Sequence, residues 1–372
     1  MRPTLLAGCC LTGLAPEIES ALNAQNQKKP GGMKLKDLAD TLGLSQTTVS
    51  RALNGYPEVS EDTRSRVLEA ARRHHYRPNA SARRLATGHV GAIGAVLHAS
   101  RSQLIDPHYV EFLAGVGERL AEDEIDIVLS PTRGSGDETP SYRRIATGKR
   151  VDAIILSSPP IEDERVRMLS ALGMPFVLHG RTLNQPPHAW LDIDNEGAFR
   201  QATKYLLDLG HTRIGLINGF KTYTYAADRE RGYRAELAAR GVPIDERLIA
   251  EGAMTDDNGY RLMDRFLTES PRLTAILVSS MMMALGAFRA VRAAGMELGR
   301  DMSMIAHDDV FPFLNADRMY PPMTTTRSSI RAAGTRVAEL ALELVRGRAC
   351  ETIHELWPVD LIIRGSTGPA PA

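Results

Sequence analysis

Short apolar runs alternate with helix-length amphipathic segments along most of this chain, and this alternation constrains its fold more than any other feature. The first series places apolar runs at residues 93–97, 125–129, 153–156 and 175–178. A second series opens with a helical segment at 196–209 and ends with an apolar run at 302–306. Strands that alternate with helices of roughly 10–15 residues form parallel βαβ units with helices on both faces. Two series therefore predict a core of two α/β lobes, each a doubly wound parallel sheet.

The same pattern predicts where a small molecule would bind. In open parallel sheets, ligands lie beyond the carboxyl ends of the strands. A cleft between two such lobes is the default position for a binding site.

Residues 33–78 differ from the rest because their pattern predicts short helices and no strands. Apolar residues within 35–42 fall on one face of a first helix. Ser45 is a suitable N-cap for a second helix at 46–53, and Ser60 for a third. Two helices joined by a tight, glycine-containing turn are typical of a helix-turn-helix. We therefore expect a small all-α head in front of the α/β core.

The head is also the basic part of a neutral chain. Residues 33–88 carry ten basic and six acidic side chains, a local charge of +4, whereas the whole chain balances 45 Lys and Arg against 45 Asp and Glu. A basic module on an acidic body indicates phosphate binding. The outward residues of the second helix include Gln, Thr and Arg, which can read base edges in a major groove.

The head resembles that of the LacI/GalR family of bacterial transcription regulators. The motifs are KDLA at 36–39, LSQTTVSRALN at 44–54, VSEDTR at 59–64 and YRPNASARRL at 76–85. The resemblance implies that Gln46, Thr47 and Arg51 face operator bases. It also implies that Ser45, Ser50 and Asn54 make positioning contacts to DNA. Three further residues are predicted to bind DNA: Tyr76, Asn79 and Arg83.

Residues 79–88 correspond to the hinge helix of this family. Eight helical residues are too few for a stable isolated helix, so we expect the segment to be disordered alone and to fold when paired with its twin on DNA. The resemblance implies that Leu85 is an apolar wedge that opens a base step in the minor groove. A dimer-packing leucine is the alternative, and both roles are compatible.

The body resembles the effector core of the same family, a fold shared with periplasmic sugar-binding proteins. The motifs are LGHTRIG at 209–215, DRERGY at 228–233, ALGAFRA at 284–290 and PPMTTT at 321–326. The predicted first lobe comprises residues 89–188 and 325–349, the second 189–324 and 350–365. We expect a disordered tail at 366–372, and its lack of heptads favours a dimer over a tetramer.

Two ligand-binding positions follow from the resemblance. Arg229 would hydrogen-bond ligand hydroxyls, and Asp308 would accept from a sugar hydroxyl, since charged groups suit adjacent hydroxyls. The alternative is that both residues serve a structural ion pair.

The chain departs from the family pattern in two places near this site. Ser280 and Met281 replace a polar pair, and His307 stands where an aromatic residue is usual. Residues 281–283 could be a soft wall against a sugar or core filling. Polar residues at or after strand ends of the first lobe could also line the cleft: Asp106, His108, Ser157 and His179. We expect a sugar, with a glucoside or a galactoside as the candidates, rather than a purine, for which stacking aromatic residues would be expected.

Residues 1–32 are predicted to be a disordered extension or the product of a mis-assigned start. Leu6 to Cys9 resembles a lipoprotein cleavage box. However, the stretch of about six residues after Arg2 is too short for the apolar region of a signal peptide. Three cysteines, two of them adjacent, provide no disulfide framework and fit a reducing compartment.

Enzyme readings find little support in the sequence. Gly115 and Gly117 lack the third glycine of a dinucleotide loop, and Gly148-Lys149 is not part of a P-loop. We expect no catalytic site, cofactor, metal site or membrane span.

The resulting prediction is a cytoplasmic, nucleoid-associated homodimer that represses carbohydrate-utilisation genes. It would bind a near-palindromic double-stranded operator, and a small sugar between the core lobes would control its affinity. Three alternatives remain. The chain could be an exported sugar-binding protein of a transporter, which would have no use for the head. It could also be an activator, or a regulator that senses another metabolite.

Overall fold

The computed structural model describes residues 33–53, 55–74, 76, 88–98, 107–132, 138–270 and 273–371. The chain divides into two compact units, a head that ends at Gly88 and a core that begins at His89. The predicted extension (1–32) and most of the predicted hinge (79–87) lie outside the described residues.

The head contains three helices, α1 (Leu35–Leu42), α2 (Gln46–Leu53) and α3 (Glu61–Arg73). Gly43 ends α1 in the left-handed region, at φ +64°, where a glycine pays no steric penalty. The predicted caps are present, because Ser45 Oγ accepts from Thr48 N at 3.0 Å and Ser60 Oγ accepts from Thr63 N at 3.4 Å. The three helices bury one small apolar core: Leu38, Ala39, Val49, Ala52, Val59, Val67, Ala70 and Ala71. The predicted helix-turn-helix is therefore confirmed.

The first lobe of the core is built on a six-stranded sheet. Its strands are β1 (Ala92–His98), β2 (Asp126–Thr132), β3 (Ala153–Ser157), β4 (Phe176–His179), β5 (Ala189–Ile193) and β11 (His354–Trp357). The order is β11-β5-β4-β3-β1-β2, and each pair is parallel. The helices of this lobe are α4 (Pro107–Glu122), α5 (Thr139–Thr147), α6 (Glu164–Ala171) and α11 (Ile330–Val345).

The second lobe repeats this plan. Its strands are β6 (Ile214–Asn218), β7 (Ile249–Glu251), β8 (Ala275–Val278), β9 (Ser303–Asp308), β10 (Thr324–Arg327) and β12 (Asp360–Ile362), in the order β12-β10-β9-β8-β6-β7. Only the β10–β12 pair among them is antiparallel. The helices are α7 (Asn195–Asp208), α8 (Thr224–Ala239), α9 (Asp256–Glu269) and α10 (Met281–Ala293). Two doubly wound lobes are thus confirmed, although the antiparallel edge strand was not predicted.

Glycines set the close approach of paired helices in both lobes. A Cβ atom on Gly334 of α11 would lie 2.1 Å from the carbonyl oxygen of Phe112 on α4. In the second lobe, a Cβ atom on Gly286 of α10 would lie 1.8 Å from the carbonyl oxygen of Asp256 on α9. Both distances are shorter than van der Waals contact, so each helix pair needs glycine at its crossing.

The predicted lobe boundaries are wrong by one strand at each of the three crossings. Residues 189–193, assigned to the second lobe, form β5 between β4 and β11 of the first sheet. Residues 325–327, assigned to the first lobe, lie in β10 of the second sheet. Residues 354–357, assigned to the second lobe, form β11 of the first sheet. The physical reason is backbone pairing on both sides of β5, where Leu191 lies opposite His179 of β4 and Glu355 of β11. The chain therefore leaves the first lobe only after β5 completes its sheet.

The tail predicted to be disordered is ordered from residue 366 to 371. Ser366 is fully buried, and its Oγ accepts from Thr324 N at 2.8 Å and donates to the Met304 carbonyl at 2.7 Å. Further on, Gly368 N donates to Ser303 Oγ at 3.0 Å and Ala370 N donates to the Leu209 carbonyl at 2.9 Å. Composition suggested flexibility, but these hydrogen bonds fix the segment on the second lobe.

Replacing Ser366 with alanine should test this docking. The Ser366→Ala variant leaves the buried Thr324 N–H and Met304 carbonyl without this partner, which should lower the free energy of unfolding by about 1–3 kcal/mol. The measurement is the shift of the urea midpoint at constant slope. The matched control is Ser170→Ala, because the Ser170 hydroxyl is buried without a hydrogen-bond partner among the described residues. Equal shifts for the two variants would contradict the docking.

Candidate functional site

Helix α2 of the head presents one apolar and one polar face. Val49 and Ala52 are buried against α1 and α3, whereas Gln46, Thr47 and Arg51 are exposed. This separation follows from the spacing of the apolar residues along the helix. Side chains of these three types can hydrogen-bond base edges in a major groove. The structure thus places the three predicted base-reading residues on one accessible face.

The other predicted DNA-binding residues have varied positions. Ser45 caps α2 at the edge of the same face, and Ser50 is half-buried. Tyr76 packs partly on the core of the head, and its burial raises the pKa of its hydroxyl. Asn54, Asn79, Arg83 and Leu85 lie outside the described residues.

The candidate ligand site is a cavity between the two core lobes, at the carboxyl ends of their strands. It encloses about 970 Å³ when its open mouth is included. Its first-lobe wall includes His108, Ser158, Pro159, His179, Gly180 and Asp192, and its second-lobe wall includes Asn195, Thr224, Tyr225, Arg229, Ser279, Ser280 and Asp309. The lining also includes Ser328, Ser329 and six apolar residues: Ile193, Met254, Met282, Phe311, Ile330 and Ala333. Both lobes therefore supply polar groups to one site, as predicted for a cleft of this type.

Arg229 is the central charged group of this cavity. Its Nε donates to Asn195 Oδ1 at 2.8 Å and its Nη1 donates to the Ser279 carbonyl at 2.6 Å. The guanidinium carbon lies 5.2 Å from the ring centre of Tyr225 and 5.3 Å from that of Phe199. Burial lowers the pKa of Arg229, but an arginine stays charged at neutral pH. Nη2 has no hydrogen bond to any described residue, so it remains available to a ligand.

At the end of β9, the carboxylate that lines the cavity is Asp309 rather than the predicted Asp308. Asp308 Oδ1 accepts from Val310 N at 2.8 Å, and the residue is not part of the cavity wall. Asp309 faces His307 Nε2 at 3.4 Å and His108 Nε2 at 3.6 Å. Burial alone would raise the pKa of Asp309, but His307, His108 and Arg229 hold it at about 2. The ligand-facing position of Asp308 is thus corrected by one residue, and the alternative of an Arg229–Asp308 ion pair has no support in the contacts of either residue.

Two predicted first-lobe residues reach the cavity together. The ring of His179 stacks on Phe112 at 4.8 Å and lies 6.5 Å from the ring of His108. Burial lowers the pKa of His179 to about 3, and His108 adds to the effect. His179 is therefore a neutral hydrogen-bonding group at neutral pH, beside the half-buried His108.

The remaining predicted ligand-binding residues have different positions, because one lines the cavity and another does not. Ser280 lines the cavity, and its Oγ accepts from Met283 N at 3.2 Å as the N-cap of α10. Ser157 is not part of the wall; its carbonyl accepts from Arg165 Nη2 at 3.1 Å, and Ser158 faces the cavity instead. Asp106 lies outside the described residues.

The methionine run is divided between the core of the second lobe and the cavity wall. Met281 and Met283 are fully buried in the core of the second lobe. Met282 points into the cavity and is part of its wall. A helical turn separates the side chains in this way because successive residues point about 100° apart.

Several cavity residues were missed from the sequence. Asp192, in the unassigned strand β5, accepts from Arg181 Nε at 2.8 Å. Asn195 and Ser279 hold Arg229, and Tyr225 stacks on it. A usable signal existed for Asp192 and Asn195, because a polar cluster follows the apolar residues at 189–191. Tyr225 lies in the first turn of α8, ahead of the DRERGY motif at 228–233.

The described part of the chain contains no cluster of three or more His, Cys, Asp or Glu side chains suited to a metal ion. No helix among the described residues is both long enough and apolar enough to cross a membrane.

Comparisons with known proteins agree with this geometry. Residues 34–79 match the model for bacterial regulatory proteins of the lacI family, and residues 203–367 match a periplasmic binding protein-like domain. The HTH-type transcriptional regulator AglR of Rhizobium meliloti (strain 1021) is 47% identical over 340 residues, which cover 91% of this chain and 95% of that protein.

Two solved structures extend the similarity. The transcriptional regulator CelR in complex with cellobiose is 30% identical with a TM-score of 0.66, covering 90% of this chain and 99% of that one. The lac repressor dimer bound to its operator and the anti-inducer ONPF is 26% identical with a TM-score of 0.75. The match covers 91% of this chain and 99% of that one. These relatives are regulators rather than enzymes. With 47% identity to one such regulator over nine-tenths of its length, the chain belongs to the lacI family of bacterial regulatory proteins.

Proposed function

We propose that this protein is a homodimeric repressor of carbohydrate-utilisation genes whose operator affinity is set by a small sugar bound between the core lobes. One observation carries the proposal. A single chain joins an exposed helix with base-reading side chains to a cavity lined by buried charged and polar groups. A transporter's binding protein needs only the cavity, and an enzyme would need reacting groups that this wall does not offer in a recognisable arrangement.

The DNA-binding half of the proposal is supported by the head. The exposed face of α2 and the net charge of +4 at residues 33–88 suit a duplex. The lac repressor is a dimer on its operator, and two heads would read half-sites in adjacent major grooves. This arrangement predicts a near-palindromic operator, and a protein that binds such an operator would be found with the chromosome.

The sugar half of the proposal is supported by the cavity. Arg229 offers donors, Asp192 and Asp309 offer acceptors, and several serines and histidines offer either. Such groups match a ligand that carries many hydroxyls, and sites of this kind reject analogues that leave buried polar groups unpaired. The similar regulator CelR was solved with cellobiose. A sugar can change operator affinity only through unequal affinity for two states of the core, on the usual scale of about 1–3 kcal/mol.

Two measurements on the full chain test the proposal together. Genomic fragments retained by the purified protein should share one near-palindromic sequence, and their affinity should fall steeply with salt. A thermal-shift screen against mono- and disaccharides should identify a stabilising ligand that also changes retention of those fragments. Retention of no particular fragment, with or without sugars, would overturn the proposal. A non-sugar ligand or tighter operator binding would favour the alternatives of another effector or of an activator.

Replacing Arg51 should weaken operator binding and reduce the base preference at one operator position. Arg51→Ala removes an exposed donor pair from the face of α2, which should cost about 1–3 kcal/mol at one base pair of each half-site. Selection from a randomised duplex pool should then show relaxed preference at that position. The control is Arg73→Ala, because Arg73 lies at the end of α3 and pairs with Glu69 at 2.7 Å. An unchanged preference in Arg51→Ala would remove this residue from base reading.

Replacing Arg229 should separate sugar sensing from DNA binding. Arg229→Lys keeps a positive charge but loses the planar donor set, so sugar affinity should fall by roughly 10- to 100-fold, as expected for a lost charged hydrogen bond. Operator affinity without sugar should remain unchanged. Arg231→Lys is the matched control, since Arg231 on the same helix pairs with Glu196 and Asp228 and does not line the cavity. A normal sugar response in Arg229→Lys would mean that the effector binds elsewhere.

A further inference from the structure

The core begins with a short stretch, residues 89–92, which we call the entry segment because it follows the predicted hinge. One glycine precedes this segment and one lies within it, Gly88 and Gly91, and both have φ +75°. Glycine adopts this left-handed conformation without steric cost and has more backbone freedom than any other residue. Unless other groups hold it, such a segment can swivel between the hinge and strand β1.

One carboxylate, that of Asp152, holds the entry segment. Its Oδ1 accepts from Val90 N at 2.6 Å and lies 3.7 Å from His89 Nδ1. Its Oδ2 accepts from Gly91 N at 2.6 Å and from Ala92 N at 3.3 Å. The backbone N–H of Asp152 adds a fourth hydrogen bond, to the Ala92 carbonyl at 2.8 Å. Successive N–H groups that converge on one carboxylate form a strong and directional contact, so Asp152 fixes the course of the chain where it enters the core.

Asp152 also stands at the start of a strand that ends at the ligand cavity. The next residue opens β3, in which residues 153–156 are at most 3% exposed. This strand lies between β1 and β4 in the first sheet. At its other end, Ser158 and Pro159 line the cavity. A close-packed interior transmits displacement rather than absorbing it, so a shift of this part of the cavity wall should reach Asp152.

The cavity end of β3 contacts the opposite lobe through the main chain. Thr224 N donates to the Pro159 carbonyl at 3.2 Å, and Ile161 N donates to the Thr222 carbonyl at 3.1 Å. A change in the angle between the lobes must alter these two hydrogen bonds. Strand β3 therefore joins a loop that responds to the lobe angle to the residue that holds the entry segment.

We propose that Asp152 is a positioning residue that couples the ligand cavity to the hinge, because it holds the entry segment rigidly on β3. The inference rests on the proposed function, since it concerns how a sugar alters operator affinity. With the four hydrogen bonds of Asp152 in place, the entry segment moves with the first lobe. Without them, the segment between the two glycines absorbs the movement, and ligand and operator lose their influence on each other.

The first test compares two neighbouring carboxylates in the full-length protein. Asp152→Asn replaces one acceptor oxygen by an amide donor that faces the N–H groups of the entry segment. Asp126→Asn is the matched control. Asp126 begins the adjacent strand β2 with an exposed side chain, and its backbone N–H, which the substitution retains, donates to the Gly91 carbonyl at 3.0 Å. Operator affinity is measured with and without the tightest binder among cellobiose, maltose, lactose, melibiose, sucrose and trehalose.

The ratio of the two operator affinities distinguishes coupling from general support of the fold. In the wild type, the sugar should change operator affinity by about 5- to 150-fold, the usual range of coupling between two sites. In Asp152→Asn this ratio should approach one, while calorimetry shows an unchanged affinity for the sugar itself. A merely structural role would lower the urea midpoint and leave the ratio as it is. Asp152→Ser, which keeps a shorter acceptor, provides the same comparison if Asp152→Asn does not fold. A wild-type ratio in the folded variant, or an equal loss in Asp126→Asn, would overturn the proposal.

The second test needs no sugar and separates this inference from the proposed function. Coupling between two sites is reciprocal, so binding of a retained operator fragment should change the hydrogen exchange of the Ile161 and Thr224 amides. The change should be absent in Asp152→Asn and present in Asp126→Asn. If no sugar in the panel binds but the operator has this effect, the sugar half of the proposed function fails and the inference stands. If the operator binds the wild type and leaves both amides unchanged, the inference is wrong and the DNA-binding half stands.

Discussion

A buried arginine is the interaction on which the core's binding site depends. Arg229 joins the start of α7, through Asn195, to the end of β8, through the Ser279 carbonyl. A buried guanidinium must find partners for its donors and a counter-charge, and it finds only part of them in the protein. The two rings of Tyr225 and Phe199 limit its movement, and the unused donor faces the cavity. The site is thus built around a charge whose remaining hydrogen bond a ligand can complete.

Much of the fold could be predicted because its signals are local. Apolar runs located β1, β3, β4 and β9 to within one or two residues, and the cap residues Ser45 and Ser60 located the starts of α2 and α3. A helix cap or a buried strand needs only its own neighbours in sequence to be recognised. The same reason explains the position of Gln46, Thr47 and Arg51, since the apolar spacing of α2 leaves them outside.

The features that were missed depend on partners far away in sequence. Strand β5 belongs to the first sheet because it pairs with β4 and β11, and the C-terminal residues are ordered because Ser303, Met304 and Thr324 bind them. Neither partner is visible in the local pattern. Asp309, rather than its neighbour Asp308, lines the cavity, because Asp308 accepts from Val310 N in the turn that follows β9. Side-chain direction at the end of a strand follows from that turn and not from the alternation along the strand.

Several contacts beside the cavity join the two lobes, and a bound ligand can replace some of them. Thr224 N of the second lobe donates to the Pro159 carbonyl of the first at 3.2 Å, and Arg181 bridges Asp192 and Asp228 across the lobes. The contact from His108 to Asp309 crosses the same gap. A ligand that binds Asp309 replaces the contact of this carboxylate with His108 of the opposite lobe, and so alters the free energy that holds the lobes at this angle. A ligand that binds two states of the core equally well would not change their populations. The two states can therefore differ in ligand affinity at side chains that contact either the ligand or the opposite lobe.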